Sequence, residues 1–194
     1  MMNGTGVKLR TLLGVLLGVI VLAVLLLGTV VPVSAEKSCF TAETLVTLAD
    51  GSLKPIGEIK IGDQVRGVTG KVTTVLYIET PRLGLRRLYS FNGGEAFTTN
   101  EHPLLTTDGW KSLNPEETLE ENSDLHLPKL EVGDILVTAN GPVHITSIES
   151  EFANPAMTVY NLVLNDDKDY SYYANGFVAM ATYAVEVPIV ALPQ

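Results

Sequence analysis

Gly70-Lys71-Val72-Thr73-Thr74-Val75 returns 71 residues later as Gly141-Pro142-Val143-His144-Ile145-Thr146. At the same offset, Gly62-Asp63-Gln64-Val65 matches Gly133-Asp134-Ile135-Leu136, and Leu88-Tyr89-Ser90-Phe91 matches Val159-Tyr160-Asn161-Leu162. An earlier pair, Asp50-Gly51 and Asp108-Gly109, is only 58 apart. The difference of 13 residues falls in the acidic stretch Asn114–Pro128, which reads as a loop-like insertion in the second copy. Two copies of roughly 60 residues are too few for a solenoid and imply a pseudo-twofold single domain.

Each copy has the texture of β structure. Leu45-Val46-Thr47-Leu48 runs into the Asp50-Gly51 turn, a strong hairpin signal. Val72–Ile78 and Val143–Ile148 are rich in β-branched residues. Tyr89–Thr99 and Tyr160–Tyr173 are each broken once by turn residues, Asn92-Gly93-Gly94 and Asn165-Asp166-Asp167. Leu53–Ile61, with Pro55 and Gly57, has room for a single turn at most, and no helical period is sustained after Val31. The expected body is all-β.

Ahead of it lies a different kind of segment. Nothing between Leu12 and Val31 is charged, Lys8 and Arg10 precede that run, and Val33-Ser34-Ala35 follows it with small residues at cleavage spacing. About 20 apolar residues also suffice to span a bilayer. Residues 1–35 therefore read either as a cleaved signal peptide or as an uncleaved anchor, with residues 12–31 in the membrane. Both place the body outside the cytoplasm, exported as a secreted or anchored domain. Glu36 and Lys37 before Cys39 do not form a lipobox.

The 194-residue chain has a net charge of −9, and all 22 acidic residues lie from Glu36 onward, against 11 basic ones there. A formal −11 over Glu36–Gln194 repels phosphate, which argues against nucleic-acid binding. It equally disfavours a polybasic grip on anionic lipid. P-loop and GxG-type phosphate motifs are absent, so no cofactor is implied. Asp166-Asp167-Lys168-Asp169 lacks the spacing of a calcium loop and reads as a hairpin turn, so no metal site is expected.

A single cysteine in an exported chain is informative, because extracellular cysteines usually pair. Cys39 sits three residues past the expected processing site, at the start of the body. From there a thiol reaches the carbonyl carbon of Ser38 through a five-membered ring, at high effective concentration. Attack would convert the Ser38–Cys39 amide into a thioester. The thiol needs activation and the departing amine needs a proton, so an imidazole and a hydroxyl or backbone donor must stand nearby. Thr99-Asn100-Glu101-His102 supplies both, after a strand and before Pro103. Thr99 alone is also an ordinary strand-end threonine, and Asn100 and Glu101 are explained as turn residues. His126 in the insertion and His144 in a strand fit bland roles.

These residues resemble the Hint domains, the family shared by inteins and the hedgehog autoprocessing domain. Cys39-Phe40 with Thr44, Val46, Asp50-Gly51, Ile56, Ile59, Gly62-Asp63 and Val65 is similar to the family's N-terminal motif. Thr99-x-x-His102 resembles its Thr-x-x-His motif. Val159-Tyr160-Asn161-Leu162 with Tyr172–Val178 resembles its C-terminal block. The resemblance covers nearly all of Cys39–Met180, with residues 39–180 as the Hint domain and 181–194 as a short apolar tail forming one more strand or a surface contact. It implies a pseudo-twofold, horseshoe-like all-β fold, with Cys39 as nucleophile, His102 distorting the amide and protonating the amine, and Thr99 holding or polarising it.

The sequence departs from splicing inteins at the end of the last block. Met180, Ala181 and Thr182 stand where a terminal His-Asn and its downstream nucleophile are expected, so no side chain can cyclise. Asn161 stands where many members carry an acidic residue, and an amide cannot act as a base. The implied capacity is the first step alone, an N–S acyl shift at Ser38–Cys39. The partners would be the upstream segment of the chain itself and an external nucleophile: water, a thiol, an amine or a lipid alcohol. The rival expectation is a catalytically degenerate exported β module that binds through its acidic surface.

Overall fold

A computed structural model of the chain describes residues 37–165 and 170–183. The signal or anchor segment 1–35, the turn residues 166–169 and the tail beyond residue 183 lie outside them. The body is built of short strands, nearly all of them paired antiparallel. The first hairpin joins β1 (Leu45–Thr47) to β2 (Leu53–Pro55) through the Asp50-Gly51 turn and is followed by a single 3-10 turn, Ile56–Glu58. Next come β3 (Gln64–Arg66), β4 (Val72–Glu79) and β5 (Arg87–Phe91). The second copy repeats the series with β6 (Leu104–Thr106), β7 (Gly109–Lys111), β8 (Ile135–Leu136), β9 (Val143–His144) and β10 (Ile148–Phe152). It closes with β11 (Asn161–Leu164), β12 (Ser171–Ala174), β13 (Phe177–Met180) and β14 (Thr182–Tyr183). Thus the first residues of the apolar tail do form one more strand, pairing in parallel with β11.

The strands form three sheets, ordered β2-β1-β12-β13-β6-β8-β9 with β7 beside β6, then β10-β5, and β14-β11-β4-β3. The two copies exchange strands: β4 of the first pairs with β11 of the second, and β5 of the first pairs with β10 of the second. These are the same contact seen from the two sides of the repeat, which is the pseudo-twofold relation expected from the sequence. Gly62 and Gly133 make matching turns with φ of 91° and 103°, where a side chain would be strained. The carboxylates that follow also match. Asp63 accepts from the Lys60 amide and from Lys54, and Asp134 accepts from the Glu131 amide and from Lys111.

One register needs correction. The Val75 amide bonds the Asp63 carbonyl, whereas in the second copy the Ile145 amide bonds the Asp134 carbonyl. Val75 is thus equivalent to Ile145, 70 residues on, because the chain from Asp134 to Ile145 is one residue shorter than that from Asp63 to Val75. With that shift the core is itself paired: Val46 with Leu104, Val65 with Leu136, Val75 with Ile145, and Phe91 with Leu162 are all buried in one cluster. The expected strand Val143–Ile148 is correspondingly broken, since 145–147 turn to meet the Asn92 side chain.

A second correction concerns the insertion. Rather than a loop, it begins with a helix, α1 (Pro115–Glu121). Asn114 caps it by accepting the Glu117 amide, Pro115 needs no amide partner in the first turn, and Glu116 and Glu117 favour the positive end of the helix dipole. Thr118 anchors it by donating to the Glu101 carbonyl at 2.7 Å. With seven residues the helix is too short to stand alone, so tertiary contacts hold it.

Candidate functional site

The chain enters the body between its two copies. The Phe40 amide and carbonyl both pair with Tyr160 at 2.8 Å, the Thr41 amide bonds the Phe97 carbonyl, and the Thr99 amide bonds the Cys39 carbonyl at 3.0 Å. The peptide before Phe40 is therefore clamped on both sides, and Cys39 is fully buried. Its side chain packs in an apolar cluster with Leu83, Leu88 and Val159, apart from the main core. Burial pushes the thiol well above its ordinary range, while Arg86 pulls it down against the carboxylates of Glu101, Glu121 and Glu79. The resting thiol is protonated.

Thr99 contacts Cys39 and His102 contacts Phe40. Thr99 Oγ1 accepts the Cys39 N–H at 3.0 Å, so it holds the amide nitrogen of the Ser38–Cys39 bond directly. The His102 ring lies 4.1 Å from the Phe40 ring, centroid to centroid, and Nε2 is 3.0 Å from the Met180 carbonyl. A carbonyl only accepts, so the neutral ring carries its proton on Nε2 and presents a bare lone pair at Nδ1. Nδ1 has no hydrogen-bond partner among the described residues, but the Ser38 main chain lies close enough to favour its protonated form. Burial outweighs that help and lowers the imidazole to about 3. His126 and His144 are exposed.

Four charged residues that the sequence alone does not single out surround this peptide. Glu101, a turn residue by its sequence context, is fully buried and pairs with Arg86 at 2.7 Å. Burial raises its carboxyl against the pull of that guanidinium. Arg86 is pinned by the Leu83 and Arg82 carbonyls and also donates to the Lys37 carbonyl. Glu121, at the end of α1, accepts the Ser38 amide at 2.8 Å and the Ser38 hydroxyl at 3.2 Å. Burial raises its carboxyl to about 7 despite those two bonds, with Glu101 and Glu79 adding like charge. Glu79 is the register partner of Asn161 across β4 and β11, so a carboxylate absent from position 161 stands on the neighbouring strand. It pairs with Lys37 and accepts the Thr182 hydroxyl at 3.1 Å. Asn161 donates to Thr182 at 3.0 Å and accepts from the Tyr172 hydroxyl at 3.0 Å.

The N-cap signature at Asn114-Pro115-Glu116-Glu117 was available as a signal for α1. Nothing local distinguishes Glu121 or Glu79 from solvated acids. A cavity of about 350 Å³ opens beside the Ser38–Cys39 bond, bordered by Lys37, Ser38, Glu121, Asp124, Met180 and Thr182. Among the described residues no group of three His, Cys, Asp or Glu side chains could hold a metal, and no helix is long and apolar enough to cross a membrane.

Comparison with known proteins agrees with this architecture. No family model matches the sequence. Curated relatives are iron-sulfur cluster assembly SufBD family proteins of Mycobacterium bovis and Mycobacterium tuberculosis, 38% identical over 73 residues. That match takes in 36% of this chain but only 8% of those proteins' length. Solved structures match far more of the chain. The gp41-1 intein is 19% identical, with a TM-score of 0.55 over 75% of this chain and 99% of its own. A DnaB intein from Synechocystis sp. PCC 6803 gives 18% and 0.53 over 75% and 99%. A bacterial intein-like domain from Clostridium thermocellum gives 24% and 0.55 over 76% and 100%. The body of this chain has the intein-like, Hint-type fold.

Proposed function

We propose that the domain is an autoprocessing domain that forms an internal thioester by an N–S acyl shift at Ser38–Cys39. The observation that carries the proposal is the bond from the Cys39 amide to Thr99 Oγ1, with the only orphaned nitrogen of His102 facing the same peptide. Sγ of Cys39 adds to the Ser38 carbonyl carbon, the Ser38–Cys39 C–N bond breaks, and a thioester replaces the amide. The thiol proton passes to Nδ1 of His102 and from there to the departing amine of Cys39, so no net proton is gained or lost. Burial lowers the imidazole and raises the thiol, so this proton transfer runs uphill. The resulting imidazolium is correspondingly a strong acid toward the amine.

Water or an external nucleophile (thiol, amine or lipid alcohol) entering the cavity beside Ser38 then releases the upstream segment. Without a side-chain amide at Ala181 there is no cyclisation, so the domain cleaves and does not splice. An uncleaved anchor at residues 12–31 gives this chemistry a purpose: cleavage at Ser38–Cys39 sheds an exported domain from the membrane. Cell fractionation tests that arrangement, because a Cys39→Ala chain should stay in the membrane fraction; equal release of mutant and wild type would remove it. The rival, a binding module with an unused active site, draws on the full burial of the Cys39 thiol. Thiol-stimulated release that depends on Cys39 separates the two.

A further inference from the structure

The two residues upstream of the scissile bond are held by contacts that the acyl shift itself does not use. Lys37 extends its ammonium to Glu79 on β4, and its carbonyl receives Arg86 from the segment before β5. Ser38 gives both its amide and its hydroxyl to the two oxygens of Glu121 on α1. The three anchors come from three different elements. Glu79 and Arg86 are nearly buried and Glu121 is half-buried, so each charge has given up much of its hydration. Glu79 is fixed from behind by the Thr182 hydroxyl, itself held by Asn161. Arg86 is fixed by Glu101 and two main-chain carbonyls. Glu121 stands on the helix of the insertion, a piece the first copy of the repeat lacks.

We infer that Glu79, Arg86 and Glu121 form a specificity site that reads a cationic residue followed by a small hydroxyl residue immediately upstream of the scissile bond. The inference rests on the autoprocessing proposal for its purpose. Arg86 binds main chain and aligns any sequence. Glu79 discriminates, because an acidic or apolar side chain at position 37 leaves its buried carboxylate without a counter-ion, held by the Thr182 hydroxyl alone. Glu121 discriminates because only a hydroxyl at position 38 occupies its second oxygen, and a branched apolar residue there would leave that oxygen bare. The site thereby ties the rate of the shift to the identity of the leaving segment. Departure of that segment takes the Lys37 ammonium from Glu79, which keeps only the Thr182 hydroxyl, and both Ser38 donors from Glu121.

The test uses the full chain in mild detergent, with substitutions at half-exposed Lys37 and at Ser38, which is buried but belongs to neither hydrophobic cluster. Dithiothreitol-stimulated release is followed by intact mass. Lys37→Arg and Ser38→Thr should process within threefold of wild type, and Lys37→Glu and Ser38→Val at least tenfold more slowly. Equal rates for all four would overturn the specificity site while leaving the acyl shift intact. A second reading needs no cleavage: amide exchange at Ser38 in a Cys39→Ala chain. Strong protection that is lost on Glu121→Ala supports the site even if no chain is released, a result that would sink the autoprocessing proposal alone. An unprotected Ser38 amide overturns the site whatever the release rates.

Discussion

Replacing Glu121 by Gln should change how the stability of the domain depends on pH. Burial and neighbouring carboxylates raise the Glu121 carboxyl from 4.5 to about 7. The folded state therefore binds that proton more tightly than the unfolded state. Its contribution is fully present below pH 4.5 and is lost as pH rises through about 7. At 1.36 kcal/mol per unit, the loss is about 3 kcal/mol. His102 acts in the opposite sense. Its pKa falls from 6.5 to about 3, so its contribution is present above pH 6.5 and is lost as pH falls through 3, about 5 kcal/mol in all. Between pH 4.5 and 6.5 the two slopes nearly cancel in the wild type. A Gln keeps an acceptor for the Ser38 amide and a donor for its hydroxyl but cannot titrate. Urea unfolding of Cys39→Ala chains, followed by the single tryptophan, Trp110, isolates the effect. From pH 4.5 to 8, the chain with Glu121 should lose about 3 kcal/mol relative to the chain with Gln. A difference that does not vary with pH would refute the claim that a desolvated carboxyl grips Ser38.

Other perturbations follow from the same contacts. Thr99→Val leaves the buried Cys39 N–H without its acceptor, at a cost of about 1–3 kcal/mol, and should slow thiol-stimulated release at least tenfold in the intact-mass assay. Arg86→Met strands the Glu101 carboxylate in the interior and should destabilise the fold by about 3–5 kcal/mol in urea, with most of that recovered in an Arg86→Met/Glu101→Gln double variant. Asn114→Ala removes the cap of α1 and should cost about 1 kcal/mol while loosening the protection of the Ser38 amide. Alkylation of Cys39 by iodoacetamide at pH 8 should run roughly 100-fold slower in the folded chain than in urea, because the thiol is buried and protonated.

The fold was legible wherever the repeat and turn chemistry spoke together. The Asp50-Gly51 hairpin, β4 and the matching Gly62 and Gly133 turns all follow from local sequence. Asn175-Gly176, both at positive φ, joins β12 to β13 in the way such dipeptides favour. The exchange of strands between the copies was not legible, because nothing local says whether β5 pairs within its own copy or with β10. The helix in the insertion carried a cap, but seven acidic-rich residues show no apolar period, since α1 buries only Thr118. At the candidate site, Cys39, Thr99 and His102 stand out in the sequence because the proposed chemistry restricts residue types and order. Glu79, Arg86, Glu101 and Glu121 do not, because an acid or a base in a chain with so many of them is recognised only by its burial and partners, and those are set by tertiary contact.

The most direct test of the central claim is intact-mass analysis of a soluble reporter ending in Glu36-Lys37-Ser38 and continuing into Cys39–Gln194, with and without dithiothreitol or hydroxylamine. The account predicts thiol-stimulated release of the reporter at Ser38, with none from the Cys39→Ala fusion. A folded fusion that stays intact under every condition would contradict it.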